Sequence, residues 1–295
     1  MMNLDFYKRE INQLAKDYNK IRFRYIFLFI ALLFWLIWIG VLIVFLKAPD
    51  TDQTPVIQKI FIGVTIACGT VGIGVLFYYV AVINKRTVFL KTKMFKLIAK
   101  ILTNESGYWI EPLGHPVKEI MIKTNIVNRH DRITEYFSFR FNINDIFGTY
   151  ILQKVMRSNG NSSTEILNGD LIILPYSNQS MIQIRDRREY WLRHYKYQPT
   201  ASDSDCFLYL YKEETLHGNY KEEKNYFRKL KRIYPGGTKC GIAYHPGKVA
   251  FFANLKTKYK IERRLDFEKF KNYTTVYYDV LRRIENIINI ARPKY

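Results

Sequence analysis

The residues with the widest chemical range in this chain are its five histidines and three cysteines, because imidazoles and thiolates serve as metal ligands, bases and nucleophiles. They are scattered along the sequence, at His115, His130, His194, His217, His245, Cys68, Cys206 and Cys240. No H-E-x-x-H or C-x-x-C spacing occurs among them. The sequence therefore predicts no metal site and no cofactor.

Two other patterns bear on catalysis. Cys240 and a histidine from elsewhere in the fold would make a nucleophile and base, although a free cysteine beside a strand is more commonly a core residue. Pro235-Gly236-Gly237 lacks the lysine and hydroxyl residue of a phosphate loop and is typical of a turn. The sequence favours a protein that is not an enzyme. An enzyme whose site is assembled from distant residues, with Cys240, His194 and His245 as candidates, stays open as an alternative.

Basic residues are the remaining functional signal, with 46 lysines and arginines against 26 acidic residues and a net charge of +20. Such clusters attract anionic lipid headgroups and nucleic-acid phosphates alike. An AT-biased genome, which enriches lysine, would explain part of this charge without any function. The candidate lipid-binding or polyanion-binding residues are Lys85, Arg86, Lys91, Lys93, Lys96, Arg185, Arg187, Arg188, Arg193, Lys229, Lys231, Arg232, Arg263 and Arg264.

Two apolar runs without any charged residue, Tyr25 to Leu46 and Ile60 to Ile83, precede these clusters. Each is long enough for a helix to cross the roughly 30 Å of bilayer hydrocarbon. We expect transmembrane helices over 25–46 and 60–83, joined by an extracytoplasmic loop over 47–59. Lysine and arginine are dense before the first run and after the second, so the positive-inside rule predicts a multi-pass protein of the cell membrane with both termini in the cytoplasm.

The segments that flank the two runs have apolar residues at alternating steps of three and four, which indicates amphipathic helices over 1–24 and 84–104. The first segment carries Leu4, Tyr7, Ile11, Leu14, Tyr18 and Ile21, and the second carries Leu90, Met94, Leu97 and Ile101. One interpretation joins the two helices into an antiparallel stalk. The alternative is that each lies on the membrane or on the following domain.

Residues 105–295 have the length and pattern of one cytoplasmic α+β domain, with a mixed sheet of about six strands and at least two helices. Because cytoplasmic thiols stay reduced, we expect no disulfide. Strands are predicted around 120–126, 136–141, 171–174, 206–210, 241–244 and 249–255, and helices over about 213–233 and 266–291. Ser158 to Thr164 is typical of a flexible loop. The apolar stripe of the last helix is expected to pack on the sheet, or alternatively to join the stalk or dimerise.

The order of these elements and several short motifs resemble a family catalogued as domain of unknown function 3137. The resemblance rests on the membrane hairpin, Phe147-Gly148-Thr149, Asn168-Gly169-Asp170 with Leu171 to Pro175, Ser202-Asp203-Ser204-Asp205, the helix through Phe227 and Leu230, and the hairpin over Gly241 to Leu255. It implies a bacterial membrane protein with a cytoplasmic α+β domain. It brings no assigned catalytic residues.

Taken together, these patterns favour a membrane-anchored interaction or scaffold module that contacts a protein partner, or a second copy of itself, and anionic lipid at the inner leaflet. The alternatives are a membrane-tethered nucleic-acid-binding protein, for which no known binding motif is present, and a membrane-associated enzyme.

Overall fold

The structure, a computed structural model, describes residues 4–21, 24–47, 55–113, 131–159, 162–177, 182–186, 197–202, 206–211, 221–255 and 265–291. These residues form two compact units. The helical unit comprises Asn3–Met94 with Ile261–Lys271, and the sheet unit comprises Phe95–Lys260 with Asn272–Tyr295. The combination of helices with an antiparallel sheet confirms the α+β class.

The helical unit begins with a short 3-10 turn and continues as a series of helices. They are α1 (Lys8–Lys20), α2 (Arg24–Lys47), α3 (Pro55–Tyr78), a π-helical segment (Tyr79–Asn84) and α4 (Lys85–Ser106), whose second half belongs to the sheet unit. The apolar seam predicted for the first segment is buried at Leu4 and Tyr7, before α1, and at Ile11 and Leu14 of α1. The pairing of α1 with α4 as a stalk stays a prediction.

Helices α2 and α3 pack against each other in antiparallel fashion. The rings of Phe45 and Phe61 stack with their centroids 4.0 Å apart. Ten residues earlier on α2, Trp35 approaches α3 so closely that a Cβ atom on Gly72 would lie 3.0 Å from its Nε1 atom. The absence of a side chain at Gly72 thus lets the two helices approach each other closely. Gly63, Gly69 and Gly74 adjoin open space instead.

One side of the helix is buried where the π-helical segment joins α4. Ile83 and Thr87 are both buried, as are Leu90 and Met94 further along. The steps of four, three and four residues between them average close to the 3.6 residues of one α-helical turn, so these side chains lie on one side of the helix. The Thr87 hydroxyl donates a hydrogen bond of 2.8 Å to the Ile83 carbonyl within this stretch.

Within the part of the chain that the structure describes, one helix is long and apolar enough to cross a membrane. It covers Gln58–Ser106, 49 residues, and therefore includes most of α3, the π-helical segment and α4. The described part of α2 contributes a shorter apolar stretch over Phe29–Phe45. The predicted second span therefore lies in a helix that is long and apolar enough to cross a membrane. A hairpin of two spans stays a prediction, because the described part of α2 contributes only the shorter stretch.

A side chain of α1 holds the segment that leads into the last helix. The Asn19 amide donates to the Leu265 carbonyl at 2.7 Å and accepts from the Leu265 N–H at 3.0 Å. The last helix, α6 (Phe267–Ala291), follows at once. The Asp266 carboxylate caps it by accepting from the Lys269 N–H at 2.9 Å. Lys8 of α1 lies over the Phe267 ring.

Replacing Asn19 with alanine is expected to loosen residues 265–271. Leu265 is buried, so its N–H and carbonyl would lose their partner without gaining water, at a cost of about 1–3 kcal/mol. Hydrogen exchange of the full-length protein should then accelerate over 265–271. Asn12→Ala, at an exposed position of the same helix, should leave this exchange unchanged. Equal exchange in both variants would contradict a holding role for Asn19.

The described strands of the sheet unit form a single antiparallel sheet of nine strands in the order β1-β2-β3-β4-β9-β8-β5-β7-β6. The sequence predicted about six strands in a mixed sheet, and this is corrected, because all described strand pairs are antiparallel. The strands are β1 (Trp109–Pro112), β2 (Arg132–Ile143), β3 (Ile146–Asn159), β4 (Ser162–Pro175), β5 (Ile182–Asp186), β6 (Tyr197–Ser202), β7 (Cys206–Tyr211), β8 (Lys239–His245) and β9 (Lys248–Asn254).

Both faces of the sheet carry buried apolar side chains. On one face, Phe137, Phe139 and Phe141 of β2 are fully buried, because alternate residues of a strand point to the same face. The Tyr277 ring of α6 packs on this face, with its centroid 4.1 Å from that of Phe137. The expectation that the stripe of the last helix packs on the sheet is thus confirmed at Tyr277. The opposite face carries a cluster that includes Ile151, Leu171 and Phe252.

The helix α5 (Lys221–Lys231) also lies against the sheet, because its Tyr226 ring is 6.0 Å from the ring of Phe251. The first residues predicted for this helix, 213–220, lie outside the described residues.

Two connections between strands, β8 to β9 and β3 to β4, test the turn and loop predictions. The turn between β8 and β9 is confirmed, with Gly247 at a φ of 72° that glycine adopts readily. The prediction of a flexible loop over Ser158 to Thr164 is wrong, because β3 and β4 stay paired as far as Asn159 opposite Ser162. Small polar residues favour turns, but here the backbone pairing of two long strands continues through the described ones. The strand predicted at 120–126 lies outside the described residues.

Candidate interaction surfaces

The first turns of α4 present cations beside exposed apolar side chains. Lys85, Arg86 and Lys93 are exposed, and Phe89 is 58% exposed. The Lys93 ammonium lies 4.8 Å from the centroid of the Phe89 ring, within the range of a cation–π contact. The seam on the other side of the helix is buried at Leu90 and Met94. This face of α4 can therefore contact an anionic surface that also accepts an aromatic ring.

The remaining basic candidates differ in their surroundings. Lys91 and Lys96 of α4 are exposed, as are Lys229 and Arg232 around the end of α5. Lys231, by contrast, forms an ion pair of 2.7 Å with Asp186 of β5, so its charge is already balanced by a carboxylate. Arg187, Arg188, Arg193, Arg263 and Arg264 lie outside the described residues.

Arg185 is a correction to the predicted surface set. It lies on β5 with 0% of its surface exposed and donates a hydrogen bond to Gln183, which is buried on the same face of that strand. A guanidinium with this burial cannot contact a lipid surface or a polyanion. In the sequence it adjoins Arg187 and Arg188, and local charge density alone gives no sign that the strand turns Arg185 inward.

A buried ionic cluster, which the sequence did not reveal, joins α6 to the sheet. Asp170 of β4 is 0% exposed. One of its carboxylate oxygens accepts a hydrogen bond of 2.6 Å from the Tyr150 hydroxyl, and the other accepts one of 3.1 Å from the Arg283 guanidinium. Arg283 follows Asp170 by 113 residues in the chain, so no local pattern could have predicted the pair.

The electrostatics of the cluster are set by burial. Loss of water raises the pKa of the Asp170 carboxyl above its usual value, while Arg283 and the Tyr150 hydroxyl act in the opposite direction. The cluster therefore holds a helix on a sheet at some electrostatic cost. Asp170 and Tyr150 are fully buried and only Arg283 is partly exposed, which suits a structural role better than a chemical one.

The described cysteines and histidine do not form a nucleophile and base. Cys240 and His245 lie at the two ends of β8, which by strand geometry separates them by roughly 16 Å and points them to opposite faces. Burial lowers the pKa of the His245 imidazole. His194, the other histidine considered beside Cys240, lies outside the described residues. Cys206 and Cys240 are buried. Among the described residues, no group of three histidine, cysteine or acidic side chains is placed to hold a metal ion.

Two exposed aromatic residues lie outside the binding sites predicted from the sequence. Trp109 on β1 is 45% exposed and Phe147 on β3 is 62% exposed, and their rings meet edge to face with centroids 6.3 Å apart. Asn142 of β2 pairs with both residues across the strands. The register therefore creates an aromatic pair at one end of the sheet. Exposed aromatic pairs are typical of contact surfaces.

Comparisons with protein-family models, curated proteins and solved structures found no match to this chain. The resemblance to domain of unknown function 3137 stays a prediction.

Proposed function

We propose that this protein is a membrane-anchored interaction module, in which α2 and α3 cross the bilayer as a hairpin and the sheet unit binds a protein partner at the cytoplasmic surface. Both termini then lie in the cytoplasm, and the protein belongs to the cell membrane as a multi-pass protein.

The observation that carries the proposal is the apolar outer surface of the packed α2–α3 pair. Val44 and Phe77 are 72% and 73% exposed, and large apolar side chains are exposed along both helices. Soluble proteins rarely expose such continuous apolar surface. In a bilayer the same side chains would meet lipid, and the helical backbone satisfies its own hydrogen bonds there.

The orientation is supported by charge. Lys8, Arg9 and Lys16 on α1 and Lys85 and Arg86 on α4 are exposed at the ends of the hairpin that we assign to the cytoplasm. Cytoplasmic flanks of transmembrane helices carry such an excess of lysine and arginine. For the partner site, Trp109 and Phe147 are the strongest candidates, because aromatic anchors supply much of the binding energy of protein interfaces.

Reporter fusions to the full-length protein test the topology. Green fluorescent protein at the C-terminus should fluoresce, and alkaline phosphatase at the same place should be inactive. After truncation behind Lys47, the phosphatase should instead be active. An active phosphatase at the C-terminus of the full chain would contradict the hairpin.

Affinity purification in mild detergent, with and without nuclease, tests the interaction. A stoichiometric protein that survives nuclease and is lost with Trp109→Ala/Phe147→Ala would support the module. Phe6→Ala, which removes another exposed aromatic residue at a distant sequence position, serves as the control. Recovery of nucleic acid alone would favour the membrane-tethered nucleic-acid-binding alternative.

A further inference from the structure

The start of α4 combines charge and apolar surface on one face. Lys85, Phe89 and Lys93 follow each other at steps of four residues, which places them in a row on the helix surface. All three are exposed, and Arg86 and Val88 are exposed beside them. The row spans about 12 Å along the helix axis at 1.5 Å per residue. Every residue of this patch belongs to the helical unit.

The side chain of Lys93 points back along the helix. Side chains of α-helices lean toward the N-terminus, and the Lys93 ammonium accordingly lies over the ring of Phe89, one turn earlier. For α4 this direction leads toward α3, the helix assigned to the bilayer. Long lysine side chains commonly extend their charged end toward a membrane surface, which is called snorkelling. The direction of Lys93 matches this behaviour.

We infer that Lys85, Arg86 and Lys93, with the Phe89 ring among them, bind the phosphate groups of anionic lipids at the cytoplasmic end of α3. This inference rests on the proposed membrane insertion and names the lipid class and the residues of that contact. The polar headgroup layer is roughly 5–8 Å thick on each side of the hydrocarbon. Lys85 and Phe89, about 6 Å apart along the axis, fit within it.

Two features favour a lipid surface over a nucleic acid as the occupant. The patch continues directly from the apolar helix that is long enough to span a membrane. Its apolar residues Val88 and Phe89 are also exposed next to the cations. An exposed valine and phenylalanine beside three cations match the interfacial layer, where apolar bodies and charged ends are accommodated together.

The test uses full-length protein reconstituted in phosphatidylcholine bilayers that contain a trace of spin-labelled phosphatidylglycerol or spin-labelled phosphatidylcholine. The fraction of each label immobilised by the protein gives the preference for the anionic lipid. The variant Lys85→Gln/Arg86→Gln/Lys93→Gln removes three charges from the patch. The control Lys229→Gln/Arg232→Gln/Lys248→Gln removes three exposed charges from the sheet unit.

The wild type and the control should prefer phosphatidylglycerol equally, and the patch variant should lose at least about fivefold of that preference. Phe89→Ala should weaken the preference with all charges kept. Equal preference in the patch variant and wild type would overturn the inference, as would a loss in the control or no preference in the wild type. Oligonucleotide binding that the patch variant abolishes, without lipid preference, would reassign the patch to nucleic acid.

Alkaline carbonate extraction of native membranes distinguishes a failure of the lipid site from a failure of the membrane insertion. Protein that resists carbonate but shows no preference for phosphatidylglycerol would refute only the lipid site. Protein released by carbonate would refute the membrane insertion itself.

Discussion

Replacing Gly241 with alanine is expected to destabilise the sheet unit by about 3 kcal/mol, because the centre of the sheet has no room for another carbon. Gly241 of β8 pairs with Phe252 of β9, and the Phe252 ring lies across the glycine. A Cβ atom there would overlap this ring and approach the Ile184 carbonyl oxygen of β5 to 2.9 Å. The loss should appear as a lower urea midpoint for the full-length protein in detergent.

Two further variants make this expectation specific. Gly236→Ala should change stability by less than about 0.5 kcal/mol, since nothing lies within 4 Å of its Cβ position. Phe252→Leu should cost less in the Gly241→Ala background than in the wild type, because the smaller side chain partly relieves the overlap. Strictly additive effects would show that the ring and the glycine do not interact as described.

Replacing Arg283 with methionine is expected to cost about 3 kcal/mol, because it leaves the Asp170 carboxylate buried without its cation. Arg282→Met is the matched control on the same helix. Arg282 is exposed and lies 5.1 Å from the Tyr278 ring, away from any buried carboxylate in the described contacts. In detergent, Arg283→Met should therefore lower the melting temperature, whereas Arg282→Met should leave it nearly unchanged. Equal melting temperatures would argue against the Asp170–Arg283 pair as a support of α6.

The loss in Arg283→Met should depend on pH. Burial already raises the pKa of Asp170, and removal of the guanidinium raises that pKa further. For a carboxyl whose folded-state pKa is raised, the stabilising contribution of protonation is present below the unfolded pKa and is lost as pH rises through the folded pKa. The difference between the variant and wild type should thus be largest at neutral pH and shrink on acidification. A difference that grows on acidification would contradict this account.

Several features followed from the sequence because their causes are local. The burial of Phe137, Phe139 and Phe141 follows from a two-residue alternation, and the turn at Gly247 follows from the conformational freedom of glycine. The packing of Tyr277 on the sheet follows from a stripe with helical spacing. Each of these patterns lies within a few neighbouring residues or one helix. The pattern determines which side chains are buried, and the tertiary structure determines only which surface they pack against.

Other features were decided by tertiary structure, because they depend on which distant residues a strand register brings together. Arg185 is predicted as a surface cation by its neighbours along the chain, yet the pairing of β5 between β7 and β8 turns it inward. The register likewise joins Trp109 to Phe147. It also places Asp170 where Arg283 of α6 can reach it. A shift of one residue in any strand would move its side chains to the other face. By itself the sequence determined the α+β class and the apolar and basic segments of the membrane prediction. The fold decided which charges are available to a partner.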